Sequence, residues 1–206
     1  MVEKQKMSEI SLKENEILEA ARSLFAHYGY SKVTMEEIAS DVEMGKASLY
    51  YYFPTKEELF KSVIKKEQML FVEEIELLLK QELSAYQKLK TYVSKRLEYF
   101  QQLVNLGTLN IHSVVGIRSI FKELLKNFEA QEIILIQKIF EEGKSKGEFD
   151  KNLNDKTIYV FLHLLQGLRL QTIKSIKGTR LENEHYKALE DEMMIFVEIF
   201  LRGIKA

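Results

Sequence analysis

The chain has 206 residues, with 30 Lys and Arg against 31 Asp and Glu, one proline, no cysteine and no tryptophan. The missing cysteines remove disulfides, thiolate metal sites and cysteine nucleophiles together, and a formal net charge of −1 excludes a bulk polycation that coats nucleic acid. Hydrophobic content of 46% and charged content of 30% describe a globular chain with a sizeable core. The longest apolar runs, such as Met193–Val197, fall far short of the ~18 residues of a membrane span. The first ten residues hold no apolar signal core. A cytoplasmic protein without a membrane partner is expected, and nothing in the sequence calls for a cofactor or a metal.

One proline and nine glycines leave few breakers in a chain rich in Glu, Lys, Leu and Ile, so an all-α fold is expected. Helix starts are read from capping boxes, where a Ser or Thr hydroxyl and a Glu or Gln three residues on satisfy each other's orphan N–H groups. Four precede apolar runs of helical period: Ser11–Glu14, Thr34–Glu37, Thr55–Glu58 and Ser84–Gln87. The first helix is expected over 12–28, with Ile17, Leu18, Ala21, Leu24 and Phe25 on one stripe and Gly29 as its left-handed stop. Short helices follow over 35–41 and 46–53, the second ended by Pro54. A long helix over 56–81 spans ~39 Å, enough to connect two lobes. Further helices are expected over 85–105, 110–116 and 118–145, a turn over Glu141–Asp150, and helices over 155–175 and 184–204 parted by a breaker at Lys177–Thr179.

Residues 34–53 carry the functional pattern. Ile38, Val42, Met44, Leu49 and Tyr52 fall at spacings that bury a helix-turn-helix core, with Ala39 where the two backbones approach. With Leu49 inward and 100° per residue, Ala47 and Tyr51 point outward, flanked by Ser48 and Tyr50. Small side chains and hydroxyls on that face suit a DNA groove. Lys46 and Lys56 open helices, where the macrodipole disfavours a cation, and a phosphate at the helix end would supply the reason. Thr34 places a hydroxyl at a similar end. Residues 1–66 carry ten Lys and Arg against eleven Asp and Glu, so any basic patch is local.

The string Lys46-Ala47-Ser48-Leu49-Tyr50-Tyr51-Tyr52-Phe53-Pro54-Thr55-Lys56-Glu57-Glu58-Leu59, with Phe25, Gly29-Tyr30, Thr34 and Ile38-Ala39 before it, resembles the TetR family of bacterial transcription regulators. The resemblance covers Ile17–Ile64. It implies a DNA-binding domain over 1–55, including an N-terminal tail, and a helical effector-binding and dimerisation domain over 56–206. It also implies a double-stranded DNA operator as partner, a homodimer and a small-molecule effector. Carried onto matching positions, Thr34, Lys46, Tyr50, Tyr51 and Lys56 look like phosphate contacts, and Ala47 and Ser48 like neighbours of base edges. Three positions depart from the family pattern: Glu43 stands where glycine is usual in the turn, Gly45 where Ser or Thr is preferred, and Ala47 where glycine is common. They put the base preference in doubt.

The last two helices are apolar on more than one face, and surplus apolar surface asks for a second packing partner. Phe161, Leu165, Leu168, Ile195, Phe196, Ile199 and Phe200 are therefore expected at a dimer interface. Residues 155–177 carry +3 and 182–206 carry −3, so the two helices complement each other across a two-fold axis. Placement of both helices inside the monomer core is the alternative. The aromatic-rich helices over 85–145 are expected to enclose a mostly apolar effector, with Tyr99, Phe100 and Phe121 against it and His112 or Arg118 orienting a polar end.

Two other readings stay open at the level of sequence. One is a helical ligand-binding or interaction module with a degenerate helix-turn-helix. The other is a helical enzyme, although the four histidines lie far apart and no HExxH, GxSxG or P-loop string occurs.

Overall fold

A computed structural model describes residues 2–107, 114–175 and 182–206, with side chains placed over 11–104, at 124, and over 126–172 and 182–206. Eight helices run in order: α1 Val2–Tyr28, α2 Met35–Asp41, α3 Lys46–Tyr52, α4 Lys56–Leu79, α5 Ala85–Gly107, α6 Val114–Ser145, α7 Asp155–Ser175 and α8 Asn183–Gly203. The described residues contain no strand, only an isolated bridge between Phe149 and Lys205. The all-α expectation holds.

Three boundaries differ from expectation. Helix α1 runs unbroken from Val2, so Ser11–Glu14 lies inside it and marks no start. A single helix, α6, crosses 116–118, where two helices were expected. The turn expected from Glu141 begins only after Ser145, because Gly143 stays helical. Residues 177–179 lie outside the described residues.

The described parts of residues 1–67 and 102–120 form one compact unit, and those of residues 68–101 and 121–206 a second. Helix α4 gives its first half to one and its second half to the other.

In the first unit, Ile17, Ala21 and Phe25 of α1, Ile38 and Ala39 of α2, Leu49 of α3 and Leu59, Phe60, Val63 and Ile64 of α4 are all buried. Fully burying an aliphatic or aromatic side chain of this kind stabilises by roughly 1.5–3 kcal/mol, so the small unit rests mainly on these residues. Arg22 Nε donates to the buried Glu67 carboxylate at 2.6 Å, and Lys66 pairs with Glu19 at 2.9 Å, so α1 and α4 are also joined by charge.

In the second unit the core runs through Phe71, Leu89, Tyr92, Val93, Phe128, Ile136, Phe140, Phe161, Met193 and Val197. Ser84 and Gln87 form a complete capping box at the start of α5. Buried Lys88 donates to the Leu79 carbonyl at 2.9 Å and grips both Glu142 oxygens at 2.9 and 2.8 Å, tying the end of α4 to α6. The end of α6 is closed by Gly147 at φ 71°, with Glu148 N–H donating to the Gly143 carbonyl at 2.8 Å. That left-handed cap satisfies carbonyls the helix would otherwise leave open.

Candidate functional site

Helix α2 starts at Thr34, whose hydroxyl accepts from Glu37 N–H at 3.2 Å and donates to the Glu37 carboxylate at 2.9 Å. The same carboxylate accepts from Thr34 N–H at 2.7 Å. These backbone and hydroxyl bonds from Thr34 hold the Glu37 carboxyl below its ordinary pKa. The Thr34 hydroxyl is thus exposed but already engaged in the cap.

The turn into α3 keeps a left-handed residue without glycine. Glu43 sits at φ 51°, Glu43 N–H donates to Ser40 at 3.2 Å, and Met44 N–H donates to Ala39 at 2.8 Å. This pair of bonds is the Schellman arrangement. Gly45 is the N-cap of α3 and supplies no side-chain hydrogen bond.

On α3, Leu49 is fully buried, Tyr52 partly exposed, and Ala47, Ser48, Tyr50 and Tyr51 face outward. Tyr51 is 79% exposed and Tyr50 38%, so neither is needed for the core. The outward face matches the one derived from the 100° periodicity. Met44, expected in the core, is only partly covered.

Both helix-opening lysines have partners within the chain. Lys46 pairs with Glu36 across α2 and α3, which raises the lysine pKa and lowers the glutamate pKa, and it lies 5.9 Å from the Tyr50 ring. Lys56 donates to the carbonyls of Tyr30 and Val33, both at 2.9 Å, and sits 4.5 Å from the Tyr30 ring. Burial lowers its pKa. It closes the α1–α2 loop, which leaves one N–H beyond those two bonds.

The expected dimer residues divide. Phe161 and Leu165 are buried, and Phe161 lies 5.8 Å from the Phe196 ring and 4.8 Å from the Phe200 ring of α8. Leu168, Phe196 and Phe200 are partly exposed, while Ile195 and Ile199 are 62% and 66% exposed. Val160, Leu164 and Leu170, members of the apolar run over 158–170, are exposed on α7 and widen the apolar face, together with Tyr159, which sequence reasoning missed. Periodicity alone was a signal for them, since they alternate with the buried positions.

Of the expected effector residues, Tyr99 is buried and Phe100 partly exposed. His112 lies outside the described residues, as do the side chains of Arg118 and Phe121. A charged cluster that sequence reasoning missed surrounds Tyr99 and Phe100. Arg96 of α5 pairs with Glu132 of α6, its Nη2 at 3.2 Å, and Tyr92 donates its hydroxyl to Glu132 at 2.6 Å. The Arg96 guanidinium carbon is 5.0 Å from the Phe128 ring and 5.3 Å from the Tyr99 ring. Arg169 of α7 lies 5.8 Å from Phe100, and its Nη1 is buried without a hydrogen-bond partner among the described residues. The available signal was Arg169 itself, an arginine between Leu168 and Leu170 in an apolar run.

No helix of the described residues is long and apolar enough to cross a membrane, and these residues hold no group of three or more His, Asp or Glu side chains fit to bind a metal. A capped turn, a buried Leu49 and an exposed Ser–Tyr face define a helix-turn-helix DNA-binding protein. The profile for bacterial regulatory proteins of the tetR family matches residues 17–63. A solved transcriptional regulator from Cytophaga hutchinsonii is 37% identical, with a TM-score of 0.88 over 94% of this chain and 99% of that one. The transcriptional regulator QacR of Staphylococcus aureus is 26% identical over 92% of this chain and 97% of its own. The fatty acid metabolism regulator protein of Bacillus subtilis is 26% identical over 68% and 72%. The chain belongs to the TetR family and is a DNA-binding transcription regulator.

Proposed function

We propose that the protein is a dimeric repressor that binds a pseudo-palindromic operator through α3 and releases it when a small, mostly apolar effector binds the helical unit. The observation that carries this reading is the exposed face of α3, where Ala47, Ser48, Tyr50 and Tyr51 stand clear of the core beside Lys46. Lys46, Tyr50 and Tyr51 contact phosphate, Ala47 and Ser48 approach base edges, and Thr34 and Lys56 contribute from the neighbouring helix starts. The protein acts in the cytoplasm, where its DNA lies.

Dimerisation is supported by the exposed apolar face of Tyr159, Val160, Leu164, Leu170, Ile195 and Ile199 on α7 and α8. A two-fold dimer presents two α3 helices to half-sites about 34 Å or more apart, one turn or a multiple. Residues 1–55 form the DNA-binding part and residues 56–206 the effector and dimer part. Helix α4, shared by both units, transmits the effector's influence. An effector acts this way only by binding one arrangement better than the other.

Selection of bound duplexes from random DNA tests the reading directly. An enriched inverted repeat, bound by a species of twice the chain mass, is the expected result. Enrichment of a site without inverted symmetry, or by a monomer, would sink it.

A further inference from the structure

The second unit sets two arginines near one buried carboxylate. Arg96 pairs with Glu132, to which Tyr92 also donates, while Arg169 is partly exposed as a residue but has its Nη1 buried and without a hydrogen-bond partner among the described residues. Glu132 is spent on Arg96 and Tyr92. Burial, and after it the nearby Arg96 charge, lowers the Arg169 pKa to about 10, with Glu132 and Tyr92 opposing. Burial is the largest single influence on Arg96 and works against its charge, but Glu132, Tyr92 and Tyr99 together hold Arg96 above its ordinary value. The two guanidiniums are thus unequal: Arg96 has a carboxylate partner, and Arg169 has none among the described residues.

An unpaired buried cation is costly, and replacing it with an apolar group is often neutral or stabilising. A chain that keeps arginine at 169, inside the run Ile158–Leu170, gives up stability there. The surroundings are aromatic, with Phe71, Tyr99 and Phe128 around Arg96 and Phe100 beside Arg169. Phe100 in turn lies 6.3 Å from the Tyr186 ring of α8. Arg169 thus stands beside an aromatic side chain that reaches on to α8, with one polar atom, Nη1, buried and lacking a partner among the described residues.

We infer that this cluster is a binding site for a small organic anion with an apolar body, whose carboxylate or phosphate accepts from Arg169 Nη1 while the body lies against the aromatic side chains. Arg96, pinned by Glu132 and Tyr92, supplies the wall and the field. A charge-assisted bond in a site of low dielectric is strong, so the anion repays the desolvation that Arg169 bears alone. The inference deepens the effector reading and rests on it for the regulatory consequence.

Calorimetry and thermal unfolding of the full chain without DNA test the site apart from its regulatory role. The probes are decanoate, decyl phosphate, decanol and decyltrimethylammonium, each below its micelle concentration. Decanoate or decyl phosphate should bind and raise the unfolding temperature, whichever does so naming the anion, while decanol and the cation should not. Arg169→Met should fold with an equal or higher unfolding temperature and weaken the anion by about tenfold or more. Should that variant fail to fold, Arg169→Lys should keep the preference for the anion at lower affinity. Equal binding of the neutral or cationic probe, no binding of either anion, or undiminished anion binding by Arg169→Met overturns the site. An anion that binds in calorimetry yet leaves operator affinity unchanged supports the site and counts against the effector reading alone.

Discussion

At the scale of single residues, Lys46, the lysine proposed to contact phosphate, is held by an acid. Glu36 pairs with Lys46 on the exposed side of α2 and α3. Glu36→Gln should therefore release Lys46 and raise affinity for duplex DNA severalfold, most visibly at low salt. Lys46→Ala should weaken binding across sequences and reduce the salt slope by about 1. Fluorescence anisotropy at several salt concentrations reads both, and an unchanged slope in Lys46→Ala would remove it from the interface. Acid tests the cap nearby. Glu37 is held below its ordinary value of 4.5 by Thr34, so its contribution is present above that value and lost as pH falls through the lower folded one. The amide resonances of Thr34 and Glu37 should titrate together with a midpoint below 4.5.

Glu43 is the residue where a departure from the family pattern has a backbone consequence. A non-glycine residue in the left-handed region costs roughly 1–2 kcal/mol, whereas glycine loosens the unfolded chain by about 0.4–1 kcal/mol. Strain relief wins, so Glu43→Gly should stabilise the protein by roughly 0.5–1 kcal/mol. Urea unfolding checks this, with Glu43→Ala as the control that keeps the strain. Equal midpoints for the two variants would show that the turn stores none.

At the scale of elements, two helical glycines make opposite predictions. A Cβ on Gly143 would meet the buried Phe149 ring at 2.3 Å, so Gly143→Ala should cost about 1–3 kcal/mol through forced repacking of the α6 end. At Gly167 on α7 a Cβ meets nothing within 4 Å in the single chain. Gly167→Ala should therefore stabilise the isolated chain by about 1 kcal/mol through helix propensity. If a partner helix packs there, the same change weakens self-association, and separating the two effects needs both chemical unfolding and analytical centrifugation. Opposite signs in the two measurements place Gly167 in the interface; equal signs remove it.

Most elements were legible because their signals are local. Thr34–Glu37 and Ser84–Gln87 are complete capping boxes, and Gly29 at φ 85° ends α1 as expected. The α6 boundaries were less legible: Gly143 looks like a breaker in sequence, and only the Phe149 ring beside it explains why a glycine sits inside a helix.

At the scale of the whole molecule, assembly is the property with the widest consequence. Ile199→Glu or Leu164→Glu places a charge on the exposed apolar face, where an interface of this kind excludes unpaired charge. Either change should shift the protein from twice the chain mass to the chain mass and lower operator affinity by more than tenfold, since half-sites would bind singly. Light scattering coupled to chromatography reads the mass. A dimer that persists in both variants would move the interface elsewhere.

The chain's own order of residues determined the all-α character, the outward face of α3 and the family, because capping, periodicity and the Lys46–Leu59 string act over a few residues. Tertiary structure decided what the charges do. Lys56 turns to the Tyr30 and Val33 carbonyls, Lys46 to Glu36, and Arg96 of α5 to Glu132 of α6, far apart in the chain. A charge finds its partner through space, and burial sets the strength of the attraction, so neither follows from sequence spacing. Near-zero net charge is thus a sum of local pairings, with Arg169 Nη1 buried and unmatched among the described residues.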